Sequence, residues 1–294
     1  FYFCSNLKSI TIPGTVKKFG TSMFWGCTSL QSAVLEEGLD SVPNGMFNEV
    51  ASLTSVTLPS TIKSIGDAAF ASTGLTTVDL PANLEYIGEM AFQMSPLVSF
   101  NVPDKVTEIG GYALSWNGHM KEVTLGKSVK KIGEYCMESC SALTKLTLNE
   151  GLETIKPFAI SWCSSLTELT IPSTVTQIDS CAMYGTPLTS LTNKAVAPQT
   201  ISYDVFQIDY SKAIYNTCTL YVPQESLETY KSAENWKEFY RIEALTSGVD
   251  DIDADEVTVV AIYKLDGTKV DEPTNGVNIL KMSNGTTRKV IIRE

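Results

Sequence analysis

The stretch LTSVTLPSTIKSIGDAAF, Leu53 to Phe70, combines features that no single helix or strand uses. Val56 and Leu58 alternate with polar residues, as on a strand with one buried face. Pro59 follows at once; it cannot donate to a ladder, so the strand ends there in a bend. Ile62, Ile65, Ala69 and Phe70 then change to spacings of three and four. That spacing predicts a second short segment and a helical turn with its apolar side inward.

The same order returns along the chain. A leucine or its substitute stands at Leu7, Leu30, Leu53, Leu75, Leu97, Met120, Leu143, Leu166 and Leu188, in steps of 22 or 23 residues. A bulky column runs in phase with it: Phe1, Phe24, Phe47, Phe70, Phe92, Leu114, Met137, Ile160 and Met183. A fixed period of this length is the signature of a solenoid. The expected fold is mostly β: a right-handed solenoid of about nine coils over 1–245, with a parallel strand ladder on one face. Glycine follows the middle apolar residue in five coils (Gly20, Gly66, Gly88, Gly110, Gly133), which predicts a tight turn of positive φ. A further column holds Cys4, Cys27, Cys140 and Cys163, with Val50 and Asn117 in other coils. These cysteines read as reduced, buried, small hydrophobes.

Charge and composition exclude several partners. The 294 residues carry a formal net charge of −11, without the basic stripe that a nucleic-acid footprint or an anionic membrane surface requires. No apolar run approaches the ~20 residues of a spanning helix, so no membrane insertion is expected. Cys136 and Cys140 have a metal-like spacing, but no histidine or second cysteine pair completes a tetrad. His119 is the one histidine, so neither a Ser-His-Asp triad nor a His-rich metal site can be assembled. No catalytic, metal-binding or cofactor-binding residue is assigned, and the chain reads as non-enzymatic.

The pattern decays after Thr189. Phe206 can stand in for the column residue, and Thr219–Pro223 reads as one last strand. In QESLETYKSAENWKEF, Leu227, Tyr230, Ala233 and Trp236 recur at threes, predicting an amphipathic helix. A solenoid end exposes an open edge, so this segment, from about residue 201, should cap the array. Residues 246–256 read as an acidic linker. Asp251, Asp253 and Asp255 have calcium-loop spacing, but Glu256 and Ile262 occupy the places of the turn glycine and the bidentate glutamate. Residues 257–294 read as a small antiparallel β module with Asn-Gly turns. Phe1 already occupies a column slot, so a truncated chain is expected, with any signal peptide out of view.

Two outward ladders, one running from Ser9 to Ser190 and the other from Thr11 to Thr192, give the strand face a flat, hydroxyl-rich character on which a protein could dock. Aromatic extras stand apart from the pattern. Trp25 and Tyr184 follow the column residue by one, Trp116 and Trp162 by two. Trp116 and Trp162 lie on one side of coils five and seven, ~10 Å apart. Such rings either fold over the turn as local core or contact ligand as hot spots or sugar platforms.

The coil with its I-P, I-G and A-F marks, and the closing LYVPQESLETYKSAENWKEF, resemble the BspA-type leucine-rich-repeat proteins of bacterial cell surfaces. The resemblance implies a non-catalytic secreted or surface-displayed binding protein engaged in adhesion to host matrix or cell-surface proteins; the chain is expected to be a monomer. A glycan-binding or scaffold role at the same surface is the alternative; an enzyme whose catalytic part lies upstream is the third. The tail, with IYKLDGTKVD, GVNILKM and GTTRKVIIRE, resembles the C-terminal sorting modules of type IX secretion substrates, but is shorter and lacks their leading strands.

Overall fold

The structure, a computed structural model, describes residues 1–209, 212–245, 259–264, 267–270, 276–282 and 287–292. The chain folds as two compact units, Phe1–Ala244 and Leu245–Glu294.

The first unit is a stack of coils with three walls. On the strand wall, Ser9–Ile12, Ser32–Leu35 and Ser55–Thr57 pair parallel, with Ser9 opposite Ser32 and Ser32 opposite Ser55. Ser99–Asn101, Glu122–Thr124 and Lys145–Thr147 continue in the same way. Glu168–Ile171, Ser190–Asn193, Thr219–Val222 and Arg241–Ala244 complete the wall. The outward ladders therefore fall in register, as the period requires. The second wall is one seven-stranded parallel sheet of two-residue strands, Ser41–Val42 through Gln177–Ile178, with its isoleucines and valine inward.

The third wall corrects the sequence reading. The spacings of three and four do not make a helical turn. Residues two before and two after the column residue adopt left-handed φ, as at Ala68 (50°) and Ser72 (55°) around Phe70. Their N–H groups bond forward to the next coil: Ala68 to Glu89, Phe70 to Ala91 and Ser72 to Gln93, at 2.7–2.8 Å. A helix would have used those donors internally; here the neighbouring coil takes them.

The glycine column is also corrected. None of its five members has a positive φ. Gly88, Gly110 and Gly133 are instead squeezed against the preceding coil. A Cβ on Gly110 would lie 2.5 Å from the Gly88 carbonyl carbon, and one on Gly133 would lie 2.6 Å from that of Gly110. Gly20, on the first coil, has nothing within 4 Å.

Inside, Phe24, Phe47, Phe70 and Phe92 are buried and stack at 5.1, 5.5 and 5.3 Å. The cysteine column is a donor slot and not merely apolar filling. Cys140 Sγ donates to Leu114 O at 3.2 Å and Cys163 Sγ to Met137 O at 3.3 Å, each reaching the column carbonyl of the preceding coil. Asn117 Nδ2 donates to Phe92 O and Thr186 Oγ1 to Ile160 O in the equivalent way. All seven cysteines are unpaired. Cys4 is exposed, against expectation, because it precedes the first full coil and no other coil of this chain covers its outer side.

Phe206 does take the column place: it is buried, and Met183 N bonds to Val205 O beside it. The cap differs from one continuous amphipathic helix. A 3-10 turn (Gln224–Ser226) leads into a helix at Leu227–Ser232, Ala233 is extended, and a second 3-10 turn spans Trp236–Glu238. The break turns donors onto the irregular return loop. Tyr230 Oη bonds to Ala195 O, Trp236 Nε1 to Gln199 O and Asn235 Nδ2 to Ile201 O, at 2.9, 2.7 and 2.7 Å. Buried carbonyls that would otherwise lack a partner are thereby satisfied. Arg241–Ala244, a strand the sequence did not announce, closes the wall.

In the second unit, Lys269–Val270, Val259–Lys264, Gly276–Met282 and Thr287–Ile292 form an antiparallel sheet in that order. The acidic linker, with Asp251, Asp253 and Asp255, lies outside the described residues.

Close approach, not φ, predicts opposite results for two equivalent substitutions. Gly110→Ala should cost about 1–3 kcal/mol, as overpacking does, lowering Tm by several degrees. Gly20→Ala should leave Tm unchanged or slightly raised. Thermal unfolding followed by circular dichroism distinguishes them; equal shifts would remove the contact explanation. By the same measurement Trp236→Ala, which empties a buried site and orphans Gln199 O, should cost about 3–5 kcal/mol.

Candidate functional site

The turn wall of coils five to eight carries an aromatic surface. Two residues before the column stand Tyr112, Tyr135 and Phe158, half-buried, with rings stacked at 4.7 Å in both steps and interplanar angles of 7° and 3°. Coil spacing explains this: equivalent slots recur ~4.8 Å apart, within the range at which aromatic rings stack. Phe158 leads to Tyr184 at 6.3 Å, and Tyr184 meets Trp162 edge-on at 5.5 Å. A continuous path of rings thus runs from Tyr112 to Trp162.

The sequence-predicted aromatics divide into two groups. Trp116, Trp162 and Tyr184 share this wall, and Trp116 and Trp162 remain 58% and 47% exposed. Trp25 lies apart, on the first full coil. It stacks on Tyr2 at 5.0 Å, meets Phe3 edge-on at 4.9 Å and donates its indole N–H to Glu49 at 3.0 Å, so it folds over its turn. The Tyr112–Tyr135–Phe158 ladder was missed, although its signal is present: three aromatics at 23-residue spacing, each two residues before Leu114, Met137 and Ile160.

Trp116 and Trp162 occupy one slot, two residues past the column, with φ of 60° and 54°. Their backbone N–H groups donate to Glu138 O and Tyr184 O, 2.7 Å each. Trp162 covers Gly185 of the next coil: a Cβ there would meet Cδ2 and Cε3 at 2.7 Å. Because Cδ2 is a ring-fusion atom, that contact comes from the ring face, and the indole lies flat on the glycine. Phe3 lies over Gly26 in the same manner. Between the two indoles, coil six supplies Ser139 and Glu138. Burial raises the Glu138 carboxyl above the ordinary range, and a bond from the Trp116 side chain partly offsets this.

A shallow groove of about 290 Å³ separates this wall from the short-strand sheet, lined by Glu89, Glu108, Tyr112, Lys131 and Glu134 among others. Its charges are partly spent on each other: Lys131 bonds Glu108 at 2.5 Å. Thiols offer no nucleophile here, since burial pushes Cys140 up to about 12 and Cys163 well above its usual value. His119 is exposed. No helix among the described residues is long and apolar enough to cross a membrane.

Three bonded walls repeating every 22 or 23 residues define a leucine-rich-repeat solenoid. The BspA type leucine rich repeat region matches in six copies over residues 1–97 and 86–211. The chain belongs to that family. No curated sequence matches the chain. Among solved structures, a leucine-rich repeat protein from Bacteroides ovatus is similar at 18% identity and a TM-score of 0.55, over 83% of this chain and 70% of that one. A T. pallidum leucine rich repeat protein has 24% identity and a TM-score of 0.49, over 54% and 78%. A leucine rich cell surface protein from Faecalibacterium prausnitzii has 21% identity and a TM-score of 0.38, over 84% and 82%.

Thiol accessibility checks the burial pattern. In the native protein without reductant, Cys4 should react at once with a thiol reagent, and partly exposed Cys181 more slowly. Cys27, Cys136, Cys140, Cys163 and Cys218 should react only after denaturation. Rapid native reaction of Cys140 or Cys163 would contradict the donor slot.

Proposed function

We propose that the chain is a non-enzymatic binding protein displayed at or secreted from a bacterial surface, where it adheres to a matrix or cell-surface protein through the strand wall. The carrying observation is that wall itself. Its outward residues fall in register from coil to coil, with Thr124 opposite Thr147 and Thr170 opposite Thr192. Apart from long side chains such as Glu122, Lys145 and Glu168, the outward residues of these coils are mostly short, which suits a broad protein surface better than a small metabolite, whose sites are concave. Family membership supports a binding role. Display at the surface follows the family resemblance and accords with the F. prausnitzii relative being a cell surface protein.

A second reading, glycan binding, is favoured by a separate observation: two exposed indoles on the turn wall, one of them flat on a glycine.

A panel of immobilised matrix proteins tests the first reading, with Thr147→Arg/Thr170→Arg placing two long cations on the strand wall. Binding should fall at least tenfold, about 1.4 kcal/mol, while Trp116→Ala/Trp162→Ala leaves it unchanged. Loss through the tryptophan pair alone would move the protein site off this wall. Hydrolysis of any panel member by the purified chain would refute the non-enzymatic reading.

A further inference from the structure

We propose that Trp116, Glu138 and Trp162 form a binding site for an uncharged, extended, β-linked glycan chain that lies along the solenoid across coils five to eight. The site rests on the second reading above and gives it a ligand class, an orientation and named contacts.

The tryptophans are built as platforms. The inner face of Trp162 rests on Gly185, and Tyr184 stands edge-on against it at 5.5 Å, braced by Phe158. The ring is thus fixed from below and from the side, with 47% of the residue exposed. Trp116 has the same slot, the same backbone conformation and the same forward N–H bond, and is 58% exposed. Its backbone N–H bonds the Glu138 carbonyl of the next coil at 2.7 Å, which brings Glu138 beside it. The Trp162 ring is ordered before any ligand arrives, which reduces the entropy lost on binding.

Left-handed φ at this slot belongs to the scaffold, since Glu49, Ser72, Met94 and Ser139 share it. What sets coils five and seven apart is the side chain. Each bears the largest residue at a position where glycine would be cheapest. Nothing in the packing of the coil asks for tryptophan there, because other coils do without it.

Spacing and polarity select the ligand. The two slots are two coil steps apart, ~10 Å, comparable to one disaccharide unit of an extended β-linked chain. The rung between them is polar, with Ser139 small and Glu138 half-buried. A pyranose presents an apolar C–H face and a hydroxyl rim. Alternate sugars can stack their faces on the indoles while the sugar between them donates hydroxyls to the carboxylate. A protein hot spot, by contrast, needs a contiguous desolvated apolar centre, and a carboxylate between the two rings interrupts one. The same carboxylate, on a chain of net charge −11, disfavours anionic polysaccharides.

Tryptophan-fluorescence titration and calorimetry of the full chain with soluble β-linked gluco-, xylo- and manno-oligosaccharides provide the test. At least one series should bind and change the emission. An oligomer long enough to span both rings should bind at least tenfold more tightly than its disaccharide. Trp116→Ala and Trp162→Ala should each weaken the long oligomer at least tenfold without changing Tm, whereas Trp25→Ala should change affinity less than twofold. The site is refuted if no neutral series binds, if the disaccharide binds as tightly as the long oligomer, or if the two alanine variants bind like the parent. Preference for heparin over every neutral series would overturn the charge argument and, with it, the ligand class. Matrix-protein binding of the same variants is read in parallel. Glycan binding lost with protein binding kept supports two walls with two ligands. Protein binding absent in every variant, with glycan binding intact, sinks the adhesion reading alone.

Discussion

Backbone hydrogen bonding between successive coils, on all three walls, is the constraint from which the rest of this molecule follows. It fixes the coil step at the strand spacing, ~4.8 Å, and so places every side-chain slot above its equivalent at that distance. Aromatic rings tolerate the spacing: the buried Phe24–Phe92 column stacks at 5.1–5.5 Å and the Tyr112–Phe158 ladder at 4.7 Å. Backbone tolerates it less well. Where the chain passes from the short strand into the turn wall, successive coils come so close that Gly88, Gly110 and Gly133 have no room for a Cβ. The turn wall takes its left-handed residues from the same source, because alternate donors there must point at the next coil while those between them bond back three residues along the chain.

Much of this was legible before any coordinates. Two columns in phase carried the period, and the period alone put Ser9, Ser32 and Ser55 in one row. Other features were written in the sequence but ambiguous. A recurring glycine says only that a side chain is unwelcome; it does not say whether φ or a neighbour forbids it. The positive φ went instead to Met90, Tyr112 and Phe158, residues whose intrinsic preference opposes it. Bonds to the next coil outweigh a local cost of that size, and no local pattern could have announced it. The cap shows the same limit. Threefold spacing of Leu227, Tyr230, Ala233 and Trp236 suggested a single helix, yet the chain breaks at Ala233 so that Asn235 and Trp236 can reach carbonyls more than thirty residues earlier. Of the turn-wall aromatics, those after the column were noticed because they interrupt a small-residue slot. Tyr112, Tyr135 and Phe158 escaped because serine, alanine and methionine had already made their slot look indifferent.

The cysteine column shows how a slot can look apolar and still be chosen for a polar reason. Cys27, Cys140 and Cys163 share their place with Asn117 and Thr186, residues of different size and hydropathy. What they have in common is a donor aimed at the column carbonyl of the coil before. A thiol is the weakest of these donors, and burial both holds it protonated and keeps it from reagents. Val50 fills the same place without a donor, and the Phe24 carbonyl it would have served accepts the backbone N–H of Cys27. The slot therefore favours a donor without demanding one.

Variation is then left to the positions that the stack does not constrain. Inward slots are held by packing, the glycine column by close approach, and the donor slot by a carbonyl. The slot two residues past the column has left-handed φ in every coil from Phe3 to Gly185, and its side chain points away from the core. Any non-glycine residue there pays a similar conformational cost, so its identity is free to vary. It reads Phe, Gly, Glu, Ser, Met, Trp, Ser, Trp, Gly along the array. Variation of that kind on a rigid, regular frame is what a binding surface needs: the frame fixes where a ring will stand, and the sequence chooses which coils carry one. In coils five and seven it chose tryptophan, and in coil eight it placed a glycine under the second ring. Glycine is the one residue that leaves that ring lying flat, so the pair Trp162–Gly185 is a feature of the surface, not of the core.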